Sequence, residues 1–154
     1  MKNTLFTIAV ISLPFVAGIQ TVAAHCQVPC GIFDDEAELV LFDTDIATIK
    51  KSMEQINELS SGDAAANVNQ LSRWVANKEK HAQAIQDRVA QYFLAQRIKP
   101  DLEAEDKENY YKLLKLVHHI TFYAMKCKQT TDLENVEKLQ EVCDEFHRSF
   151  AHDH

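Results

Sequence analysis

Between Leu39 and Ile56 the apolar residues Leu39, Phe42, Ile46, Ile49, Met53 and Ile56 fall at alternating spacings of three and four. That period lines up one face of an α-helix and is incompatible with a strand. The same pattern recurs along most of the chain. With only three glycines and three prolines among 154 residues, there are few places where it can be interrupted. The first helix is capped at its start by Asp34 or Asp35 and ended by Gly62. A second helix is expected from about Ala64 to Arg97, with Val68, Leu71, Val75, Ala82, Ile85, Val89 and Tyr92 inward, and Pro100 stops it. A third, from about Ala104 to Lys128, turns Tyr110, Leu113, Val117, Ile120 and Ala124 inward. The fourth opens on the capping-box pattern Thr131-Asp132-Leu133-Glu134 and buries Val136, Leu139, Cys143, Phe146 and Phe150. Four helices with short connections and narrow apolar seams predict an all-α chain, an up-and-down antiparallel four-helix bundle over about residues 35–150.

Ahead of the helices the composition changes. Residues 1–24 carry a basic start at Lys2, an apolar run from Leu5 to Ile19 broken by Pro14 and Gly18, and a small-residue ending at Val22-Ala23-Ala24. This is the pattern of a secretory signal peptide, and the run is shorter than the roughly 20 residues a spanning helix needs. There is no twin-arginine pair, so metal would be acquired after export. Cleavage would leave residues 25–154 as one exported domain, in a periplasm, outside the cell or in an organelle lumen, with no membrane attachment.

Lys2 is the only charged residue of that leader, so its loss takes the formal net charge from −7 to −8. An acidic balance of this size excludes nucleic acid and anionic membrane as natural partners. A small anionic substrate would have to be drawn in by local cations.

A helical scaffold implies no chemistry by itself. The chemistry lies in residues 25–33, His-Cys-Gln-Val-Pro-Cys-Gly-Ile-Phe. With His25 as the new N-terminus, a free α-amine of pKa near ~8 joins an imidazole. The Cys26 amide nitrogen closes a five-membered chelate ring with that amine, and Cys26 adds a thiolate. Pro29 and Gly31 favour a reversal that brings the Cys30 thiolate back. Two nitrogens and two sulfurs in a plane suit nickel(II) or copper(II) rather than tetrahedral zinc, with the His25 imidazole as an axial ligand. Such strong donors would bring a nickel(II)/nickel(III) couple into a usable range.

Blander readings exist for the same residues. Two cysteines four apart in an exported chain also suit a disulfide, and four cysteines permit three pairings. Cys127 and Cys143 could pair between helices or fill the core as small apolar residues. His118 and His119 sit mid-helix as packing or surface residues. His147, His152 and His154 lie at an acidic C-terminus where metal would bind weakly. Trp74 reads as a packing residue or a subunit contact. Lys78 and Lys80 read as solvated helix charges that, near the hook, would attract an anion.

The hook resembles that of the nickel superoxide dismutase family, whose processed chains begin His-Cys-x-x-Pro-Cys-Gly-x-Tyr; the matching residues are His25, Cys26, Pro29, Cys30 and Gly31. Arg73-Trp74-Val75 through Lys78-Glu79, and Gln91-Tyr92-Phe93 through Lys99-Pro100, look like the family's second helix and its exit. The resemblance implies an oxidoreductase that disproportionates superoxide to dioxygen and hydrogen peroxide, with one nickel ion per subunit. It implies a right-handed bundle assembled as a homohexamer, with the hooks ordered by neighbouring subunits. The metal ligands it implies are His25, Cys26 and Cys30.

Two departures stand out. The family's tyrosine at the ninth hook position is Phe33 here, without the hydroxyl that organises anions and water. The glutamate and arginine that hold the axial imidazole align with Leu41 or Phe42 and with His81. Asp43 or Asp45 could supply the carboxylate and His81 the hydrogen bond, changes that alter rate without abolishing binding. They leave open a second reading, a non-catalytic module that captures or senses nickel or copper with the same hook.

Overall fold

A computed structural model describes Pro29 and residues 31–151, so the leader and His25, Cys26 and Cys30 lie outside the described residues. Among the described residues there are helices and no strand: α1 (Asp35–Ser61), α2 (Ala64–Arg88) with a π-helical continuation (Val89–Arg97), a one-turn α3 (Leu102–Glu105), α4 (Lys107–Gln129) and α5 (Leu133–Ala151). α1 packs along α2, α2 against α4, α4 against α5, and α5 back against α1. No helix among these residues is long and apolar enough to cross a membrane.

The helix boundaries follow from side chains that replace missing backbone partners. Asp34 accepts the Ala37 amide at 3.1 Å and Gly62 follows the last residue of α1, as expected. Asp63 accepts the amides of both Ala65 and Ala66. The third helix departs from expectation, because Asp106 caps a fresh start by accepting the Asn109 amide at 3.0 Å and so divides α3 from α4. At α5 the cap is Asp132 rather than Thr131: its carboxylate takes the Glu134 amide at 3.1 Å, while the Thr130 hydroxyl takes that of Asp132.

The predicted inward faces of α1, α4 and α5 are buried, with Tyr110 partly so. An aromatic knot joins three elements near one end. Phe42 stacks on Phe93 at 5.6 Å, and Phe93 meets Phe146 and Phe150 edge-on at 4.9 and 5.3 Å. Such pairs add to the area they bury.

The first half of α2 behaves otherwise. Val68 and Val75, expected inward, are 62% and 41% exposed, and Leu71 and Trp74 are half-buried. The α4–α5 turn meets the α1–α2 pair at the level of Asn57, which donates to the Thr131 carbonyl at 3.0 Å, and of Lys78. The α1–α2 hairpin extends past that turn, so no third helix covers its tip. Periodicity marks which residues share a face; it does not say where the facing layer ends.

Lys78 is also not the solvated charge expected. It is 3% exposed, and its ammonium donates to the carbonyls of Cys127, at 2.6 Å, and Lys128 while pairing with Glu79. A cation here satisfies the open carbonyls at the C-terminus of α4 and opposes its dipole. It lies fourteen residues from Tyr92, roughly 20 Å along the helix from the contact with Phe33.

Candidate functional site

The described part of the hook runs into a compact polar cluster. Gly31 has φ +75°, a left-handed conformation costly to any residue with a Cβ, so the chain turns just after Cys30. Ile32 is 82% exposed, and Phe33 then lies back on the body. Its ring meets Tyr92 edge-on at 5.9 Å, and the Arg97 guanidinium sits 4.6 Å from its centroid.

Asp35, the first residue of α1, organises that contact. It accepts from Arg97 Nε at 2.8 Å and Nη2 at 2.6 Å, the two-pronged geometry a guanidinium offers a carboxylate, and from the Tyr92 hydroxyl at 2.7 Å. Burial first, and then the bond to the Asp35 carboxylate, push the Tyr92 hydroxyl well above its ordinary range. The same carboxylate raises Arg97, which stays charged.

The π-helical segment makes this convergence possible. Tyr92 and Arg97 are five residues apart and would be turned about 140° from one another in an α-helix. With i→i−5 bonding, which reaches Ile98 N–H to the Phe93 carbonyl at 2.8 Å, both come onto the face that meets Asp35. Sequence reading expected one uninterrupted α-helix here and missed Asp35 and Arg97. The α-helical period places Arg97 on the wrong side, so no periodicity signal could have found it.

A second polar group lies farther along the α1–α2 seam. His81 Nδ1 is 2.7 Å from Asp45 Oδ1, Arg88 Nη1 is 2.8 Å from Asp45 Oδ2, and Arg88 Nε is 2.9 Å from Glu38. Arg88 also lies 5.4 Å from the centroid of the Phe42 ring. Glu38 and Asp45 are seven residues apart, as are His81 and Arg88, so two turns of each helix present their charges to the other. That double spacing was a readable signal. Of the carboxylates expected near His81, Asp45 meets it; Asp43 faces α5 and accepts from Gln140 at 3.1 Å. Leu41 is exposed and Phe42 is core.

The remaining candidates are placed as follows. His118 is exposed and His119 half-buried. His147 lies 3.5 Å from Glu36, while His152 and His154 fall outside the described residues. Lys80 is exposed, and Trp74 borders a shallow cavity of about 300 Å³ with Gln70, Arg73 and Asn77. Cys127 and Cys143 are buried free thiols, which settles their role as core residues. Burial pushes the Cys127 thiol up to about 12 and Cys143 higher, so neither is a ready thiolate. No group of three or more His, Cys, Asp or Glu among the described residues could hold a metal.

A family model for nickel-containing superoxide dismutase matches residues 20–154, a span that includes the whole hook and every helix. The chain belongs to that family. It is thus an oxidoreductase, a nickel superoxide dismutase whose substrate is superoxide. Searches of curated proteins and of solved structures returned no match. The residues present suit the metal this dismutase family carries. His25, Cys26 and Cys30 could between them offer two thiolates and an imidazole, and the three-residue tether from Phe33 back to Cys30 spans at most about 10 Å.

Proposed function

We propose that this chain disproportionates superoxide at a nickel ion held by the N-terminus that cleavage after Ala24 exposes. The His25 amine and imidazole, the Cys26 amide and thiolate and the Cys30 thiolate would hold one ion per subunit. When bound, nickel supplies a one-electron couple between its divalent and trivalent states, enough to oxidise one superoxide to dioxygen and reduce another to peroxide. The observation that carries this reading is the family match across residues 20–154, with the donor pattern intact at His25, Cys26 and Cys30.

The chain's own residues divide the remaining work. Gly31 turns the backbone toward the body, Phe33 offers a ring without a hydroxyl beside the site, and Asp34 starts α1 at once so that little slack remains. Protons for peroxide would come from the hook's own amides or thiols or from ordered water, since the Phe33 ring has none to give. His81, held by Asp45, is the side chain that would hydrogen-bond the His25 imidazole, from its own hook or from that of a neighbouring subunit. Residues 1–24 act as a signal peptide for export, the four long helices form an up-and-down bundle behind the hook, and the subunits assemble as a homohexamer.

The test is to produce the chain from His25, load it with nickel, and measure superoxide consumption against metal content, with a Cys26→Ser/Cys30→Ser control. Nickel-dependent turnover that the control lacks is the expected result. Stoichiometric nickel without turnover would overturn the proposal in favour of a capture module.

A further inference from the structure

We infer that Arg97 is a positioning residue for the hook, setting through Phe33 the direction in which the chain leaves the helices toward Cys30. This rests on the reading of the hook as the nickel site.

Phe33 is the last hook residue, and it is more than a third exposed with one face available to the body. Two groups fix that face, the edge-on Tyr92 ring at 5.9 Å and the Arg97 guanidinium at 4.6 Å. Arg97 is itself held, its side chain 14% exposed and both prongs on Asp35, within 5.9 Å of the Phe150 ring at the end of α5. The guanidinium is therefore a plane locked at its edge by a carboxylate and presenting its face to Phe33, the two uses that distinguish arginine from lysine.

Asp35 neutralises Arg97, so its contribution is orientation rather than attraction of an anion. The π-helical register is what delivers it to this place, and such segments recur at functional sites. Between Phe33 and Cys30 stand only Gly31 and Ile32, so a swing of the Phe33 ring moves the tether of a metal ligand. Small misplacements of ligands carry large costs.

Two readouts test this. In the metal-free protein, the Phe33 ring resonances should lose their displacement by the Tyr92 ring in Arg97→Gln and Arg97→Lys, while those of Phe93 and Phe146 stay. Asp35→Asn/Arg97→Gln, which strands no charge, should behave the same way. In nickel-loaded protein, release to a chelator should quicken about fivefold to tenfold in Arg97→Gln and in Phe33→Leu, as expected for losing one partly desolvated cation–ring contact. The Arg97→Gln/Phe33→Leu double variant should be no faster than either single, because both remove one contact. Phe33→Tyr, which keeps the ring, should restore slow release.

Phe33 resonances unmoved by Arg97→Gln, or release rates that multiply in the double variant, would overturn the inference with the nickel reading intact. A wild-type protein that holds no nickel, though its Phe33 signals still depend on Arg97, would overturn both and confine Arg97 to a contact of the fold.

Discussion

His81 and Asp45 stand 2.7 Å apart across the α1–α2 seam, Nδ1 to Oδ1, with Asp45 only 7% exposed and its other oxygen on Arg88. A buried carboxylate is tolerable only with such partners, and removing one leaves a charge in a place that cannot solvate it. Arg88→Ala is therefore expected to destabilise the protein by about 3 kcal/mol, since it strands Asp45 and Glu38 together. His81→Ala, which leaves Arg88 in place, should cost nearer 1 kcal/mol. Urea unfolding of the two variants checks the order, and equal losses would contradict it.

At the other end of the fold, Lys78 tests the same physics with a cation. Lys78→Met keeps the stem but leaves the Cys127 and Lys128 carbonyls without their donor, for an expected loss of about 1–3 kcal/mol. Superoxide turnover per bound nickel should stay unchanged, because the lysine is engaged in capping α4, roughly 20 Å along α2 from the Phe33 contact. A large fall in turnover with stability intact would show that Lys78 serves the substrate after all.

The N-terminal amine provides a sharper chemical test. A single extra residue ahead of His25 converts the amine to an amide and should abolish tight nickel binding. Cys26→Ser and Cys30→Ser should each end redox cycling, whereas Cys127→Ser, at a buried thiol pushed up to about 12, should leave turnover intact. Nickel affinity by competition with a chelator, with the authentic N-terminus beside the extended one, reads out the first expectation.

Alkaline pH should unfold this protein earlier than its acidity suggests. Tyr92, Cys127 and Cys143 all hold their protons more tightly folded than unfolded, chiefly because burial penalises the anion. Their contribution is then complete below the unfolded values, about 8.5 for a thiol and about 10 for a phenol, and is lost as pH rises through the folded ones. The urea midpoint should fall from about pH 9 upward, first through the thiols. Cys127→Ser should flatten the pH 9 to 12 portion of that fall, and Tyr92→Phe the portion above pH 10.

Much of this was legible in the chain itself. The three-and-four spacing from Leu39 to Ile56, the helix ends at Asp34 and Gly62 and the buried face of α5 follow from local backbone chemistry, which acts within a turn or two. The pattern His25-Cys26, Pro29, Cys30-Gly31 was equally plain, because its residues are neighbours in sequence, and the family match carries the chain to nickel and superoxide.

What the sequence could not reveal depends on distant partners. Lys78 became a buried cap only because α4 ends against it, and Val68 and Val75 stayed exposed because α4 and α5 turn back before reaching them. Tyr92 and Arg97 met on Asp35 because one stretch of helix took a π register, which shifts the face of every residue after it. Local patterns determine the helices and the spacing of the hook residues; the lengths and registers of the packed helices decide which charges meet and what Phe33 lies against.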